Sequence, residues 1–459
     1  MRILIALLLV CAGNFSFAQS KASRIDSLLT DCHNRGIFNG VALVVNDGEE
    51  ILTKGYGLAD LENSIPLKPE HQFYIGSITK QFTSMLIFQL HEAKKLDIHA
   101  PISTYLEEFE EEIYQDISVY HLLTHRSGIP SYTGFKEFDK ASNFTQAQMV
   151  DMIIRPLEFE PGSKFSYSNS GYFLLGLIAE RISGKDFGTL LSDKIFAPLE
   201  MNASGFSTTW LDNEHAKGYR KTVDGLAPMP DYSAQTLFST GGIYSNVLDL
   251  RKWDEALYTN QLLSDSLKRI MFTPILSDYA CGWRVHKGVK EDGTIYERHQ
   301  HGGTIQGYHS YILRRIPQKQ TVILLDNNFD QEIQEIKNAI WRILADAQER
   351  PIKSKLSNLL LQAAETKQLP KTIKAIGDSL EAFQETYDFE EFDINTVGYR
   401  LMENGRYTEA KSLFQFNIDQ YPNAWNVYDS MGELQLKMGF ESKSKEYYQK
   451  AESLKAKKD

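Results

Sequence analysis

Strand-forming segments lie near both ends of the first 350 residues, and helical patterns fill the chain between them. Residues 41–45 and 51–54 flank an Asn-Asp-Gly turn, which predicts a β-hairpin. Residues 308–313 and 321–326 predict two more strands after a long, mainly helical region. Because every sheet must bury an apolar face against another layer, this order favours one α/β unit whose sheet is completed when the chain returns.

The character of the chain changes after Pro351, where the sequence becomes helical and charged and loses its strand signals. Five pairs of matching residues recur there at an offset of 34 positions: Gly398/Gly432, Gly405/Gly439, Ala410/Ser444, Lys411/Lys445 and Phe414/Tyr448. This spacing resembles tetratricopeptide repeats, although two ordinary amphipathic hairpins are the alternative. We therefore predict a helical connector over 351–390 and tetratricopeptide-like repeats over 391–459, serving as a protein-interaction or stabilising module.

The first 18 residues have the pattern of a secretory signal peptide. Arg2 precedes ten apolar residues, and small residues precede Gln19 at the expected cleavage site after Ala18. Cys11 raises the alternative of a lipoprotein, but the bulky Val10 before it disfavours lipidation. No later apolar run approaches the ~18 residues that a membrane span needs. The sequence thus predicts an exported protein, periplasmic or secreted, with no membrane span and a catalytic domain over 19–350.

The composition disfavours several other function classes. The chain has 49 Lys and Arg against 60 Asp and Glu, a net charge of −11, which disfavours binding to nucleic acid. Its histidines and cysteines form no HExxH or paired CxxC pattern, so no metal and no other cofactor is expected. Cys32 and Cys281 are the cysteines beyond the signal region, and we expect two buried small hydrophobes rather than a disulfide bridge.

A Ser-x-x-Lys pattern at Ser77 and Lys80 is the first candidate for chemistry. Two residues three positions apart on a helix share a face, so the lysine amine can reach the serine hydroxyl. A buried lysine with a lowered pKa can accept the proton of a serine nucleophile, and the helix N-terminus favours an oxyanion beside it. The pattern alone is weak, because Ser442 and Lys445 repeat it on what reads as a solvated helix face.

A Tyr-x-Asn pattern at Tyr167 and Asn169 is the second candidate. A tyrosine beside a lysine can be partly ionised and relay a proton, and an asparagine can orient the lysine and a substrate amide. The same pattern occurs at positions 244, 258 and 421. Only the pattern at 167 lies in a tight turn, residues 159–171, that leads into an apolar helix over 172–182.

The third candidate is the segment His301-Gly302-Gly303-Thr304. Paired glycines allow a strand to approach a ligand closely, and the histidine offers a polar or cationic contact to a carboxylate or carbonyl group. The backbone N–H of Thr304 could face that of Ser77 across an oxyanion. Taken alone, a His-Gly-Gly sequence is more often a turn than a site.

These three patterns stand in order among longer segments, and together they resemble the serine β-lactamase and penicillin-binding-protein superfamily, in its class C β-lactamase-like branch. The resemblance covers about residues 25–345. The segments that carry it are residues 73–83, 121–130, 195–201, 239–245 and 299–308. The family fold implies a mostly antiparallel sheet flanked by helices plus an all-helical subdomain, here followed by the all-α repeat tail.

The resemblance also implies a role for each candidate residue. Ser77 would be the acylated nucleophile, Lys80 its proton acceptor and Tyr167 the general base or proton relay. Asn169 would position the substrate and the lysine, and His301 and Gly303 would be substrate-binding positions on the sheet edge. The backbone amides of Ser77 and Thr304 would form the oxyanion hole. The sequence departs from the class C pattern where His301-Gly302-Gly303 replaces Lys-Thr-Gly. Carboxypeptidases, D-amino-acid peptidases and esterases of the family also use histidine there, so this departure weakens the case for a β-lactamase.

The resulting hypothesis is an exported serine hydrolase that acts through an acyl-enzyme on a D-amino-acid peptide, a β-lactam or a short ester. Its substrate would be a small molecule or peptide, and the repeats would bind a protein partner. Two alternatives remain at this point: a true β-lactamase, and a non-catalytic sensor of cell-wall fragments or a scaffold that acts through its repeats.

Overall fold

The computed structural model of the chain describes residues 19–139, 142–206, 214–229, 234–289, 293–305, 307–328 and 333–456, so the predicted signal peptide lies outside the described residues. The strands are β1 (Gly40–Asn46), β2 (Glu49–Tyr56), β3 (Leu58–Asp60), β4 (Ile65–Pro66), β5 (Phe73–Tyr74), β6 (Gly205–Phe206), β7 (Tyr219–Thr222), β8 (Gly225–Pro228), β9 (Ile243–Ser245), β10 (Arg284–Val289), β11 (Ile295–Ile305), β12 (Tyr308–Arg315), β13 (Gln320–Asp326), β14 (Ser354–Lys355) and β15 (Tyr387–Asp388).

The helices divide at the same point as the sequence. Before Pro351 they are α1 (Lys21–Asn34), α2 (Thr79–Glu92), α3 (Val119–Leu123), α4 (Gln146–Ile153), α5 (Asn169–Ser183), α6 (Phe187–Leu191), α7 (Ala234–Gly241), α8 (Val247–Ala256), α9 (Asp265–Met271) and α10 (Ile333–Leu344). After it they are α11 (Leu356–Glu365), α12 (Leu369–Asp378), α13 (Leu380–Thr386), α14 (Glu391–Glu403), α15 (Tyr407–Gln420), α16 (Trp425–Lys437) and α17 (Glu441–Lys455).

The main sheet has the strand order β10-β11-β12-β13-β1-β2, and all of its neighbouring strands are antiparallel. The late strand β13 pairs with β1 from Gly40 opposite Asp326 to Val45 opposite Thr321. The prediction that the returning chain completes the sheet is therefore confirmed. The sequence patterns did not predict β10 and β11, whose polar and glycine-rich residues weaken the alternation that normally indicates a strand.

Helices cover both faces of this sheet. Val41 and Leu43 of β1 belong to the large core formed with α2, α5 and α8. Ala42 and Val44 point to the other face, where they pack with α1 and α10. A strand that is buried on both faces must be apolar at every position, which explains the unbroken apolar run of β1. The predicted α/β fold, with an antiparallel sheet and an all-helical subdomain, is confirmed.

The helical tail repeats its packing at the interval seen in the sequence. A side chain on Gly398 of α14 would collide with the ring of Phe414 of α15, and one on Gly432 of α16 would press on the ring of Tyr448 of α17. Both glycines thus let a helix pair close around an aromatic ring. The two helix pairs are equivalent in this respect, and their identification as tetratricopeptide-like stays a prediction.

The tail contacts the part of the chain before Pro351 through the β7–β8 hairpin. Val223 at the hairpin turn is fully buried within the hydrophobic core of the tail. Arg406 donates to the carbonyl of Val223 (3.2 Å) and to that of Ala364 (2.8 Å), and Arg400 donates to the carbonyl of Lys221. The hairpin therefore precedes Pro351 in the sequence, but its turn packs in the hydrophobic core of the tail.

Two further expectations concern the cysteines and the membrane. Cys32 and Cys281 are both free and buried, which confirms that they serve as small hydrophobes rather than a bridge. Across the part of the chain that the structure describes, no helix combines the length and apolar character needed to cross a bilayer.

The insertion of Val223 into the tail predicts a large effect of a charge at this position. Val223→Asp should lower the free energy of unfolding by about 2 kcal/mol or more, because it buries an unpaired carboxylate in an apolar core. Urea denaturation measures this loss. The matched control is Val289→Asp, since Val289 is 68% exposed at the end of β10 and a charge there should change stability by less than about 0.5 kcal/mol. Equal effects of the two substitutions would contradict the role given to Val223.

Candidate active site

Ser77 and Lys80 lie together at the start of a buried helix. Ser77 occupies a short 3₁₀ turn, Gly76–Ile78, which runs directly into α2. The Lys80 Nζ donates to Ser77 Oγ (3.0 Å) and to the carbonyl oxygen of Thr240 (2.8 Å). The pattern that predicted a shared helix face thus corresponds to a direct contact between amine and hydroxyl.

Burial controls the charge of Lys80. The side chain is completely buried, and this desolvation lowers the pKa of Lys80 to about 7. A lysine with such a pKa is neutral in a substantial fraction of molecules near neutral pH. Its amine can then accept a proton from the Ser77 hydroxyl, which an ammonium group cannot do.

Tyr167 lies on the other side of this pair. Lys80 Nζ is 5.1 Å from the centre of the Tyr167 ring. The phenol oxygen is buried without a hydrogen-bond partner among the described residues, although the nearby Ser77 hydroxyl slightly favours the ionised form. Burial outweighs that influence and raises the pKa of Tyr167 well above its ordinary value. The structure therefore favours a neutral phenol, in contrast to the partial ionisation expected from its neighbour lysine.

Asn169 is the first residue of α5 and lies at the wall of the same cleft. Its backbone N–H donates to Ser131 Oγ (3.1 Å), and its side-chain amide donates to Thr133 Oγ1 (3.3 Å). Among the described residues, Asn169 makes no hydrogen bond to Lys80. The amide is consequently held at the substrate side of the cleft, and the predicted contact with the lysine is replaced by one with Thr133.

His301 lies in β11, where it is only 6% exposed. Its Nδ1 is 2.7 Å from the carbonyl oxygen of Gly302, and its Nε2 is 3.1 Å from the hydroxyl of Tyr279. Burial, followed by the charge of Lys80, lowers the pKa of His301 to about 3. This environment favours a neutral imidazole, so of the polar and cationic contacts that the sequence left open it favours the polar one.

Glycines bring the end of β11 against the Ser77 turn. A side chain on Gly303 would lie 2.0 Å from the carbonyl oxygen of Ile75, and one on Gly76 would lie 3.0 Å from the amide nitrogen of Thr304. Strand β10 pairs with β11 only as far as Gln300, so the segment 301–305 has a free edge toward this turn. The sheet edge predicted for His301 and Gly303 is therefore limited to residues 301–305. This short edge brings the Thr304 amide next to Ser77.

Two cavities open beside Ser77. One, of about 320 Å³, is lined by Tyr132, Asn169, Thr240 and Thr304. The other, of about 430 Å³, is lined by Tyr167, Arg284, His301 and Lys337. Ser77 borders both cavities, so groups on either side of a bound carbonyl have space. Within the described ranges, no cluster of three or more His, Cys, Asp or Glu side chains could hold a metal ion.

The sequence patterns missed two residues of this cleft. His125 accepts a hydrogen bond from the Ser168 N–H at Nδ1 (3.1 Å), and its ring lies 4.2 Å from that of Tyr167. Its segment, residues 121–130, was recognised as a family landmark, but nothing in it indicated a contact with Tyr167. Tyr279 bonds to His301 from a loop that carries no motif, so no local signal could have identified it.

The comparison with known proteins agrees with this geometry. The Beta-lactamase family model matches residues 24–345. Penicillin-binding protein 4* of Bacillus subtilis (strain 168) is 29% identical over 348 residues, covering 71% of this chain and 75% of that protein. PbpX of the same strain is 32% identical over 317 residues, covering 67% of this chain and 75% of PbpX.

Solved structures share the same fold. The octameric penicillin-binding protein homologue from Pyrococcus abyssi has a TM-score of 0.63 and 25% identity, covering 71% of this chain and 77% of that one. A D-amino acid amidase from Ochrobactrum anthropi SV3 has a TM-score of 0.63 and 23% identity, covering 72% and 100%, respectively. Because the family match includes every candidate site residue and spans most of the sequence, this chain belongs to the Beta-lactamase family of serine hydrolases related to penicillin-binding proteins.

Proposed function

We propose that this protein is an exported serine hydrolase that cleaves a small amide or ester substrate through an acyl-enzyme. One observation carries the proposal: the buried Lys80 amine, with a pKa lowered to about 7, lies 3.0 Å from Ser77 Oγ. This contact supplies what a serine nucleophile requires, namely a nearby base that is neutral at physiological pH.

In the proposed reaction, Ser77 Oγ attacks the substrate carbonyl carbon while its proton moves to Lys80 Nζ. The tetrahedral oxyanion is stabilised by the backbone N–H groups of Ser77 and Thr304. When the intermediate collapses, the bond to the leaving group breaks, and the proton from Lys80 reaches that group through the neutral phenol of Tyr167. Water then hydrolyses the acyl-enzyme and regenerates Ser77.

The substrate class follows from the relatives and from the cleft. The related proteins include penicillin-binding proteins, and a D-amino acid amidase shares the fold. We propose a D-amino-acid peptide, a β-lactam or a short ester as substrate, acted on by a catalytic domain over 19–350 after removal of residues 1–18. The tail, with its connector over 351–390 and repeats over 391–459, would bind a protein partner or stabilise the domain.

Substitution of Ser77 tests the nucleophile. A fluorophosphonate probe should label the wild-type protein, and Ser77→Ala should abolish labelling because no other activated hydroxyl is expected. The matched control is Ser442→Ala, which removes the serine of the second Ser-x-x-Lys pattern in an exposed position and should leave labelling unchanged. In-gel fluorescence measures both variants, and equal labelling of wild type and Ser77→Ala would exclude the mechanism.

A substrate panel separates the hydrolase from its alternatives. We expect the wild type to hydrolyse at least one of an acyl-D-alanyl-D-alanine peptide, a D-amino-acid amide and a short acyl ester, and Ser77→Ala to hydrolyse none. Rapid turnover of nitrocefin would instead favour a β-lactamase. Absence of turnover across the panel, together with binding of a partner by the repeats, would favour a non-catalytic protein.

The pH dependence of labelling tests the role of Lys80. Because the amine accepts a proton only when it is neutral, the second-order labelling rate of Ser77 should rise with pH up to about 7 and become constant above it. Stopped-time labelling from pH 5 to 9 measures this profile. A rate that is independent of pH, or that is still rising steeply at pH 9, would exclude a buried Lys80 with a lowered pKa as the base.

A further inference from the structure

The hydrogen bonds of His301 determine which of its nitrogens carries a proton. The carbonyl oxygen of Gly302, 2.7 Å from Nδ1, can only accept a hydrogen bond, so Nδ1 must be protonated. In the neutral ring, Nε2 then has a lone pair and accepts from the Tyr279 hydroxyl at 3.1 Å. Both nitrogens are thereby occupied by the protein, and neither is free to bind a substrate.

Burial and a backbone hydrogen bond fix the position of Tyr279, whose hydroxyl contacts His301. It is fully buried in the loop between α9 and β10, and its backbone N–H donates to the carbonyl of Leu276 (3.0 Å). Ser277 and Asp278, between these two residues, both have left-handed backbone angles, with φ of 52° and 56°. This tight turn directs the Tyr279 side chain inward, toward the cleft.

The Tyr279 ring also joins the two sides of the cleft. Its centre lies 4.6 Å from the ring of His125 and 6.1 Å from that of Tyr167. His125 in turn contacts Tyr167 at 4.2 Å. A single buried tyrosine therefore contacts both the segment that carries Tyr167 and the strand that carries His301 and Thr304.

We propose that Tyr279 is a positioning residue whose hydroxyl donates to Nε2 of His301 and thereby keeps that nitrogen unprotonated, so that His301, whose Nδ1–H is bound by Gly302, cannot act as a cationic contact for a substrate carboxylate. The consequence for substrate recognition rests on the proposed hydrolase function, whereas the tautomer does not. His301 therefore supplies no charge that would favour a substrate carboxylate over an uncharged group such as a carboxamide.

The cationic groups around His301 also disfavour a protonated imidazole. Lys80 of α2 and Arg284 of β10 both disfavour a positive charge on the imidazole. Lys337 of α10 lines the same cavity, and Tyr167, on the segment before α5, contributes a ring 6.3 Å from the imidazole. Without the Tyr279 hydroxyl, the imidazole would still face these cations, but Nε2 would have lost its donor and would be free to gain a proton.

Nitrogen-15 spectroscopy of the histidine rings tests the tautomer directly. In long-range ¹H–¹⁵N correlation spectra, with the His301 signals assigned by their loss in His301→Gln, the wild type should show a protonated Nδ1 and an unprotonated Nε2 from pH 8 to pH 5. In Tyr279→Phe, which retains the ring, Nδ1 should stay protonated against the Gly302 carbonyl, whereas Nε2, having lost its donor, should gain a proton within this range.

Substrate preference provides the second readout. At pH 5.5, Tyr279→Phe should raise kcat/KM for acyl-D-alanyl-D-alanine relative to its C-terminal carboxamide by at least about threefold, because a protonated His301 can pair with the carboxylate. The matched control is Tyr114→Phe, which removes another buried hydroxyl, one that donates to the carbonyl of Arg155 (3.0 Å) outside the described cleft. This control should change neither the tautomer nor the preference.

Three outcomes decide between the explanations. An Nε2–H tautomer in the wild type overturns the proposal. The proposal is also overturned if Tyr279→Phe loses thermal stability as Tyr114→Phe does, while Nε2 of His301 stays unprotonated and the substrate preference stays that of the wild type. If the expected protonation states of His301 are observed while no substrate of the panel is hydrolysed, the positioning role of Tyr279 is supported and the hydrolase function is overturned.

Discussion

The contact between the Lys80 amine and the Ser77 hydroxyl, made inside a fully buried environment, is the interaction on which the catalytic unit depends. An isolated ammonium group is costly to bury, and the protein reduces that cost by lowering the pKa of the lysine rather than by pairing it with a carboxylate. The surrounding helices therefore shield the Lys80 side chain from bulk solvent, although Ser77 borders two cavities. The apolar packing of α2 and α5 thus serves reactivity as well as stability.

The second constraint is the close approach of two distant backbone segments. Gly303 lies against the carbonyl of Ile75, so the strand edge and the nucleophile turn meet at a distance that excludes any other residue type. This contact depends on the position of β11, which depends in turn on the pairing of β13 with β1. The approach of the Thr304 amide to the Ser77 turn consequently depends on the whole sheet, and a displacement of its strands would separate the two amides proposed for the oxyanion hole.

The cleft and the tail show two ways in which the chain links parts that are remote in sequence. Tyr279 joins the Tyr167 side to the His301 side through a hydroxyl and a ring, with no motif of its own. Val223 joins the hairpin of the catalytic unit to the core of the tail through burial alone. In both cases one side chain fits a site that several other elements build. Neither residue could have been selected from its neighbours in the sequence.

The sequence by itself indicated the pairing of Ser77 with Lys80, the Tyr167 turn, the returning sheet and the 34-residue spacing of the tail, because these depend on local spacing and on alternation of apolar residues. It could not determine the charge of a group, since burial and neighbours set a pKa. Burial favours the neutral forms of Tyr167 and His301, whose charge the sequence left open, for this reason. Only the tertiary structure decided that the imidazole nitrogens of His301 are both occupied and that Asn169 bonds to Thr133, because hydrogen-bond partners come from segments far apart in the chain.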